Sequence, residues 1–483
     1  MNIETLNYIG GEWVGSANGK KLVAVDPSTG EQFGTAQAST VGDVEDAIDA
    51  ARKVFDDGSW SFTPSVQRAN VLTTVAQRLS ENLEHLAQLI TRQNGRPIKA
   101  TRGEISRCID IADYFAAQAR TLSGRINQTQ PNIASLIVRE PVGVCALITP
   151  WNFPLDLAMR KIAPALATGC TFVLKPASPT SIVSMEFIKL FDNIDGLPSG
   201  VVNAVSGGGS VLGDTLIRST KVDKISFTGS TETAKRILAT AAESMKRVSL
   251  EAGGKSPNII FADAPREAAL SNTISGAFAN SGQSCTAKSR LLVQKSIQAE
   301  FVNELVKRTS QLRVGPGVNE TVDLGPIASQ SQLDTVMAFI EAGSEEGGQR
   351  VIGGQRLTGG EYGRGFFVEP TIFQNVTSEM QIGRHEIFGP VLSVMPFEDE
   401  EEAIALANDT YFGLSSALFT TDVKRAFRVA QRIRAGEVTV NSQKIRLAEA
   451  PFGGYNQSGI GRELGVEGLD AYQEIKHIAF DFA

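Results

Sequence analysis

From Val142 onward, short apolar runs alternate with stretches that are apolar at every third or fourth position. Val144–Thr149, Thr171–Leu174, Val201–Val205, Lys224–Thr228 and Val248–Glu251 read as strands of the buried type. Between them Leu155–Leu166, Ser181–Asp192, Val211–Arg218 and Glu232–Ser244 read as amphipathic helices. Strands with apolar residues on both faces must be covered on both faces. The alternation therefore predicts an α/β fold with a doubly wound parallel sheet. Ligands bind such sheets beyond the carboxyl ends of the strands. Asn152, Lys175, Gly207, Gly229 and Glu251 all fall just past strand ends.

Upstream, residues 7–35 read as short strands broken by glycine and Asp-Pro-Ser-Thr-Gly turn chemistry. Val44, Ala47, Ile48, Ala51 and Phe55 have helical spacing, and Leu72 to Ile90 continues that spacing as one longer helix. A third helix is expected near Gly103 to Thr121, and Ser123–Glu140 reads as a hairpin away from the core. After Ser256 a second α/β unit follows, with strands near Leu291 and Leu392 and helices at Phe301–Leu312 and Glu401–Asn408. Residues 436–462 are loop-rich. Gln473–Phe482 alternates like a strand that, with the 123–140 hairpin, reaches another subunit.

A length of 483 residues implies more than one domain. The net charge of −7, without a basic tract, argues against nucleic acid or an anionic membrane as partner. No apolar run approaches the ~20 residues that span a bilayer. Met1–Thr5 has neither the basic nor the apolar region of a secretory signal, and the four cysteines form no framework spacing. A reduced, cytoplasmic setting is the expectation. His85, His385 and His477 show no metal-ligand spacing, so no metal is expected, and His385 is the one histidine placed to assist a cysteine.

Gly282-Gln283-Ser284-Cys285-Thr286 sets a thiol on a glycine-flanked loop between a helical pattern and a strand pattern. Reactive groups favour such loops, whereas Cys108, Cys145 and Cys170 lie within apolar elements and read as inert. Glu251 ends a buried strand and precedes Gly253-Gly254, which permit close approach. Asn152 is fixed between Pro150 and Pro154. Gly207-Gly208-Gly209 and Gly229-Ser230-Thr231 are strand-to-helix turns that can offer amides to a phosphate, although such glycines also serve simple turns. Lys175, after an apolar strand, suits a ribose or phosphate contact or a plain surface position.

Together these stretches resemble the aldehyde dehydrogenase superfamily. The resemblance rests on Pro150-Trp151-Asn152-Phe153-Pro154, Leu174-Lys175-Pro176, Phe227-Thr228-Gly229-Ser230, Leu250-Glu251-Ala252-Gly253-Gly254-Lys255, Gly282-Gln283-Ser284-Cys285, Glu386-Ile387-Phe388-Gly389-Pro390 and Pro451-Phe452-Gly453-Gly454. It implies that Cys285 attacks an aldehyde as thiolate, that Asn152 and the Cys285 backbone N–H hold the oxyanion, and that hydride passes to a nicotinamide. It further implies that Glu251 activates the water that hydrolyses the thioester and that Glu463 assists proton relay. Trp151, Lys175, Ser178, Gly209, Phe227, Gly229, Ser230, Glu386 and Phe388 would line the cofactor, NAD or NADP. Ser178 stands where the family often has a glutamate that repels a 2′-phosphate, so NADP is acceptable.

The resemblance implies a small-molecule aldehyde as partner and a homodimer or homotetramer. It divides the chain into a dinucleotide-binding domain (1–122 and 142–253), a catalytic domain (254–462) and an oligomerisation arm (123–141 and 463–483). Arg160, two turns into the helix after Asn152, resembles the carboxylate-binding arginine of succinate-semialdehyde dehydrogenases, with Arg446 as a second cation near the substrate mouth. An acidic semialdehyde is thus one alternative to a neutral aldehyde. A CoA-acylating relative and a non-enzymatic structural relative are two more, both disfavoured by the retained Glu251, with Cys285 and Asn152 also against the latter.

Overall fold

The computed structural model describes residues 3–442, 445 and 447–482. The five parallel strands form at Val144–Thr149, Thr171–Pro176, Val202–Ala204, Lys224–Thr228 and Arg247–Glu251. Helices Pro154–Thr168, Ser181–Ile188, Ser210–Arg218 and Thr231–Ala241 connect them. In space, Val144–Thr149 lies between Thr171–Pro176 and Lys224–Thr228, so the strand order reverses beside it. That reversal opens a crevice at the carboxyl ends, where Trp151, Asn152 and Gly229 follow. Asn7–Ile9 and Glu12–Val14 extend one edge of this sheet, and Gly459–Ile460 adds antiparallel to Arg247–Glu251 at the other. The strand interiors are apolar on both faces because helices cover both; Val144, Cys145, Ala146 and Leu147 are fully buried.

The helix expected over Leu72–Ile90 is two helices, Ser65–Glu81 and Leu83–Asn94. Asn82 leaves helical geometry (φ −106°, ψ 12°), and its Nδ2 donates to the Arg78 carbonyl at 2.8 Å, offering that carbonyl a partner outside the helix. Apolar spacing did not reveal the break because Leu79 and Leu86, on either side of it, are both buried. The next helix starts at Ile98, just behind Pro97, and runs to Arg120.

A second sheet takes the order Gln349–Ile352, Thr371–Gln374, Val391–Phe397, Arg290–Gln294, Pro257–Ile260, Ser415–Phe419, Glu437–Val440. All its pairings are parallel except the outer one of Gln349–Ile352. The expected helix near Phe301 spans Lys295–Thr309, and the next Glu400–Asn408. A separate three-stranded antiparallel sheet joins Arg125–Gln130, Ile133–Pro141 and Gln473–Asp481. Among the described residues no helix is long and apolar enough to cross a membrane.

Candidate active site

The Cys285 loop is built on strained backbone. Asn280, Ser281 and Gly282 are consecutive left-handed residues (φ 54°, 52° and 72°). A Cβ on Gly282 would overlap the Gly389 carbonyl oxygen, so glycine is needed for the close passage as well as the dihedral. Polar side chains fasten the loop. Asn280 Nδ2 donates to the carbonyls of Gln283 (2.9 Å) and Asn152 (3.2 Å). Gln283 Oε1 accepts from the Ala328 N–H at 2.9 Å, and Ser281 Oγ donates to the Gly325 carbonyl at 2.7 Å. Strain held this way keeps the thiol in one place.

Asn152 is buried and its Nδ2 donates to the Gln283 carbonyl at 3.2 Å, two residues before the thiol. The amide nitrogen carries a second N–H that this bond does not use. Glu104, itself buried and paired with Arg96, accepts the N–H groups of Leu155 (2.9 Å) and Asp156 (3.1 Å). It thereby satisfies the first turn of the helix that follows Asn152. Cys285 is partly exposed and lines a cavity of about 830 Å³ together with Phe153, Arg160, Lys288, Glu437 and Phe452. The other cysteines are buried. His385 is not at the thiol: its Nδ1 meets the Tyr411 hydroxyl at 2.8 Å.

Glu251 ends its strand beside Thr228, and its carbonyl accepts the Gly229 N–H at 3.0 Å. Its carboxylate is buried and accepts no hydrogen bond from any described residue. Gly453 lies against it, since a Cβ there would come 2.7 Å from Oε1. Burial, with the Glu463 carboxylate second, pushes the Glu251 carboxyl well above its ordinary range. Glu463 is fixed by Lys161, whose ammonium also reaches Thr228 Oγ1 at 2.7 Å. Glu251, Glu463 and Lys161 thus form one buried group; Glu463 is the residue the resemblance expected to assist proton relay.

Lys161 was missed in the sequence. Its signal was present: adjacent Arg160 and Lys161 sit in Pro154–Thr168, a helix in which every residue is buried. A cation with no wet face must have a partner. The expected role of Arg160 as a free carboxylate clamp is not favoured. Its Nε and Nη2 form a fork on Asp156 (3.2 and 2.9 Å), and its guanidinium stacks 4.8 Å from the Phe452 ring centre. Arg446 lies outside the described residues.

None of the expected cofactor residues lines the cavity at Cys285. Trp151 and Phe388 meet edge to face at 5.3 Å, and Phe388 takes a left-handed φ of 56°. Glu386 Oε1 accepts the Gly254 N–H at 2.9 Å, and burial pushes its carboxyl up to about 7. Gly254 passes so near that a Cβ would come 2.5 Å from the Cys285 carbonyl oxygen. Phe227 packs under Gly229, and Ser230 caps helix Thr231–Ala241 by accepting the Thr233 N–H at 3.3 Å. Gly209 (φ 86°) begins helix Ser210–Arg218, and Ser178 Oγ donates to the Gly207 carbonyl at 3.1 Å. Lys175 is buried at its strand end, and burial alone lowers its ammonium's pKa. A buried cation, two helix starts beyond strand ends and a buried carboxylate are groups that fit a dinucleotide.

A doubly wound sheet opening beside a loop thiol, with an amide donor and a buried carboxylate near it, defines an oxidoreductase that works on a carbonyl carbon. Residues 13–478 match the aldehyde dehydrogenase family, and the chain belongs to it. It is 41% identical to betaine aldehyde dehydrogenase of Bacillus subtilis (strain 168), across 98% of this chain and 96% of that one. It is 40% identical to aminoaldehyde dehydrogenase 2 of Zea mays, across 98% and 94%. The crystal structure of betaine aldehyde dehydrogenase from Staphylococcus aureus in complex with NAD+ superposes with a TM-score of 0.97, at 39% identity over 98% of this chain and 94% of that one.

Proposed function

We propose that this chain oxidises an aldehyde to its carboxylic acid with NAD+, through a thiohemiacetal and then a thioester on Cys285. The observation that carries the reading is the fastening of the Cys285 loop to Asn152 through Gln283 and Asn280, beside the cavity. The Cys285 thiolate adds to the carbonyl carbon. The spare N–H of Asn152 and the Cys285 backbone N–H receive the oxyanion; one such donor is typically worth about 3–4 kcal/mol. A bound nicotinamide supplies the hydride acceptor. Glu251 then takes a proton from the water that attacks the thioester, and Cys285 leaves as thiolate. Burial and the Glu463 charge raise the affinity of Glu251 for the proton it takes, and Glu463 with Lys161 carries the proton onward.

Lys175, Ser178, Gly209, Phe227, Gly229 and Ser230 would hold the adenosine and phosphates. Glu386, Phe388 and Trp151 would flank the nicotinamide end. NAD is supported by the Staphylococcus aureus complex. Ser178 places no carboxylate against a 2′-phosphate, so NADP is accepted as well. The chain acts in the cytoplasm and assembles as a homodimer or homotetramer through the sheet that ends in Gln473–Asp481, a strand with one unpaired edge. In Cys285→Ala, NAD(P)H formation from any aldehyde is lost while NAD binding, followed by calorimetry, is kept. Full turnover in that variant contradicts the mechanism.

A further inference from the structure

Betaine aldehyde carries a trimethylammonium group one carbon from the reacting carbonyl. Proteins hold such quaternary cations mainly on converging aromatic faces. In the cavity at Cys285 the aromatic residues among the described lining are Phe153 and Phe452. Each already carries a guanidinium: Arg96 lies 4.3 Å from the Phe153 ring centre and Arg160 4.8 Å from that of Phe452. Arg160 itself lines the cavity and acts on Cys285 through its charge.

The carboxylates nearby are each engaged by cations or hydroxyls of the protein, or are exposed to solvent. Asp156 takes both Arg160 (2.9 Å) and Arg107 (3.0 Å), so one carboxylate is shared by two guanidiniums, and Glu463 also acts on Arg160 through its charge. Glu104 is matched by Arg96. Glu437 accepts from Ser415 Oγ at 2.6 Å, and the same hydroxyl receives the Lys288 ammonium. Asp110 also lines the cavity but is exposed to solvent, where its field is screened.

We infer that Arg160 is a specificity residue that excludes aldehydes with a cation beside the carbonyl, so that this chain acts on uncharged aldehydes and not on the quaternary-ammonium aldehyde for which its relatives are named. This rests on the dehydrogenase reading above. It runs against what sequence identity to those relatives suggests. A like charge set against a buried guanidinium is rejected strongly, and a methylated carbon of the same shape is not.

The test compares betaine aldehyde with 3,3-dimethylbutanal, which has the same shape with carbon in place of the charged nitrogen. The purified enzyme is expected to favour the neutral aldehyde in kcat/KM by at least about tenfold. Arg160→Met, with Arg160→Gln as the variant that keeps a hydrogen bond to Asp156, should shrink that ratio at least about threefold. As a check that needs no variant, 3,3-dimethylbutan-1-ol should inhibit the unaltered enzyme at lower concentration than choline. Equal or better use of betaine aldehyde overturns the inference and leaves the dehydrogenase reading intact. An unchanged ratio in a folded, active Arg160 variant also overturns it, because another group then sets the preference. Failure to oxidise either aldehyde overturns the dehydrogenase reading and this inference with it.

Discussion

At the residue scale, the proposed mechanism separates two jobs that proteins often give to one histidine. In that mechanism Asn152 and the loop amide handle the negative charge that forms on oxygen, while Glu251 handles the proton. Removing the Asn152 amide as Asn152→Ala should lower kcat by about 100- to 1000-fold, with a smaller effect on KM for NAD. Steady-state kinetics with both substrates varied decides this; a loss confined to KM would place the amide in ground-state binding instead. Glu251 is active as the carboxylate, and burial with the Glu463 charge makes it hold its proton to higher pH. Turnover limited by hydrolysis should therefore fall on the acid side well above the ordinary carboxyl value of 4.5. Glu463→Gln removes the repelling charge and should move that limb to lower pH. A kcat–pH profile that is the same in both forms would mean that the two carboxylates do not communicate.

At the scale of elements, strand ends and glycine turns bring the chemistry together. The apolar strands and the helices between them were legible because burial on both faces leaves a continuous apolar run. The break at Asn82 was not, because a one-residue departure shifts neither buried face enough to disturb the spacing. The bend at Asn280–Gly282 was legible as a glycine-flanked loop, but not as three left-handed residues in succession. Gly282→Ala tests that bend. The new Cβ meets backbone and the left-handed φ alone costs about 1–2 kcal/mol. A lower midpoint in chemical denaturation and a loss of turnover larger than the loss of folded protein are expected. A variant with both properties intact would show that the loop tolerates a different path.

At the scale of the whole molecule, the two large sheets are accompanied by a separate sheet of Arg125–Gln130, Ile133–Pro141 and Gln473–Asp481. Its outer strand, Gln473–Asp481, exposes Ile475 and Phe480 and has one unpaired edge, with exposed Phe482 just beyond it. Such an edge invites pairing with another chain. Ile475→Lys with Phe480→Lys should shift the sedimenting species to a smaller mass while leaving the circular dichroism of the two main sheets in place. An unchanged mass would assign assembly to another face.

The order of apolar runs by itself determined the parallel sheets and the strand ends that bear Asn152, Lys175 and Glu251, because periodicity reports local burial. It also marked Cys285 as different from Cys108, Cys145 and Cys170 through its loop. Even the Asp156–Arg160 pair was implicit in its spacing of four along a helix. Only the tertiary structure decided which charges are neutralised by which partners. Lys161 meets Glu463 across 302 positions of sequence, and Arg160 lies over Phe452 from a distant loop. Those contacts depend on how separate elements pack against one another, and no local spacing encodes that. The tertiary packing therefore brought Glu251, Glu463 and Lys161 together and paired the charges around the cavity at Cys285.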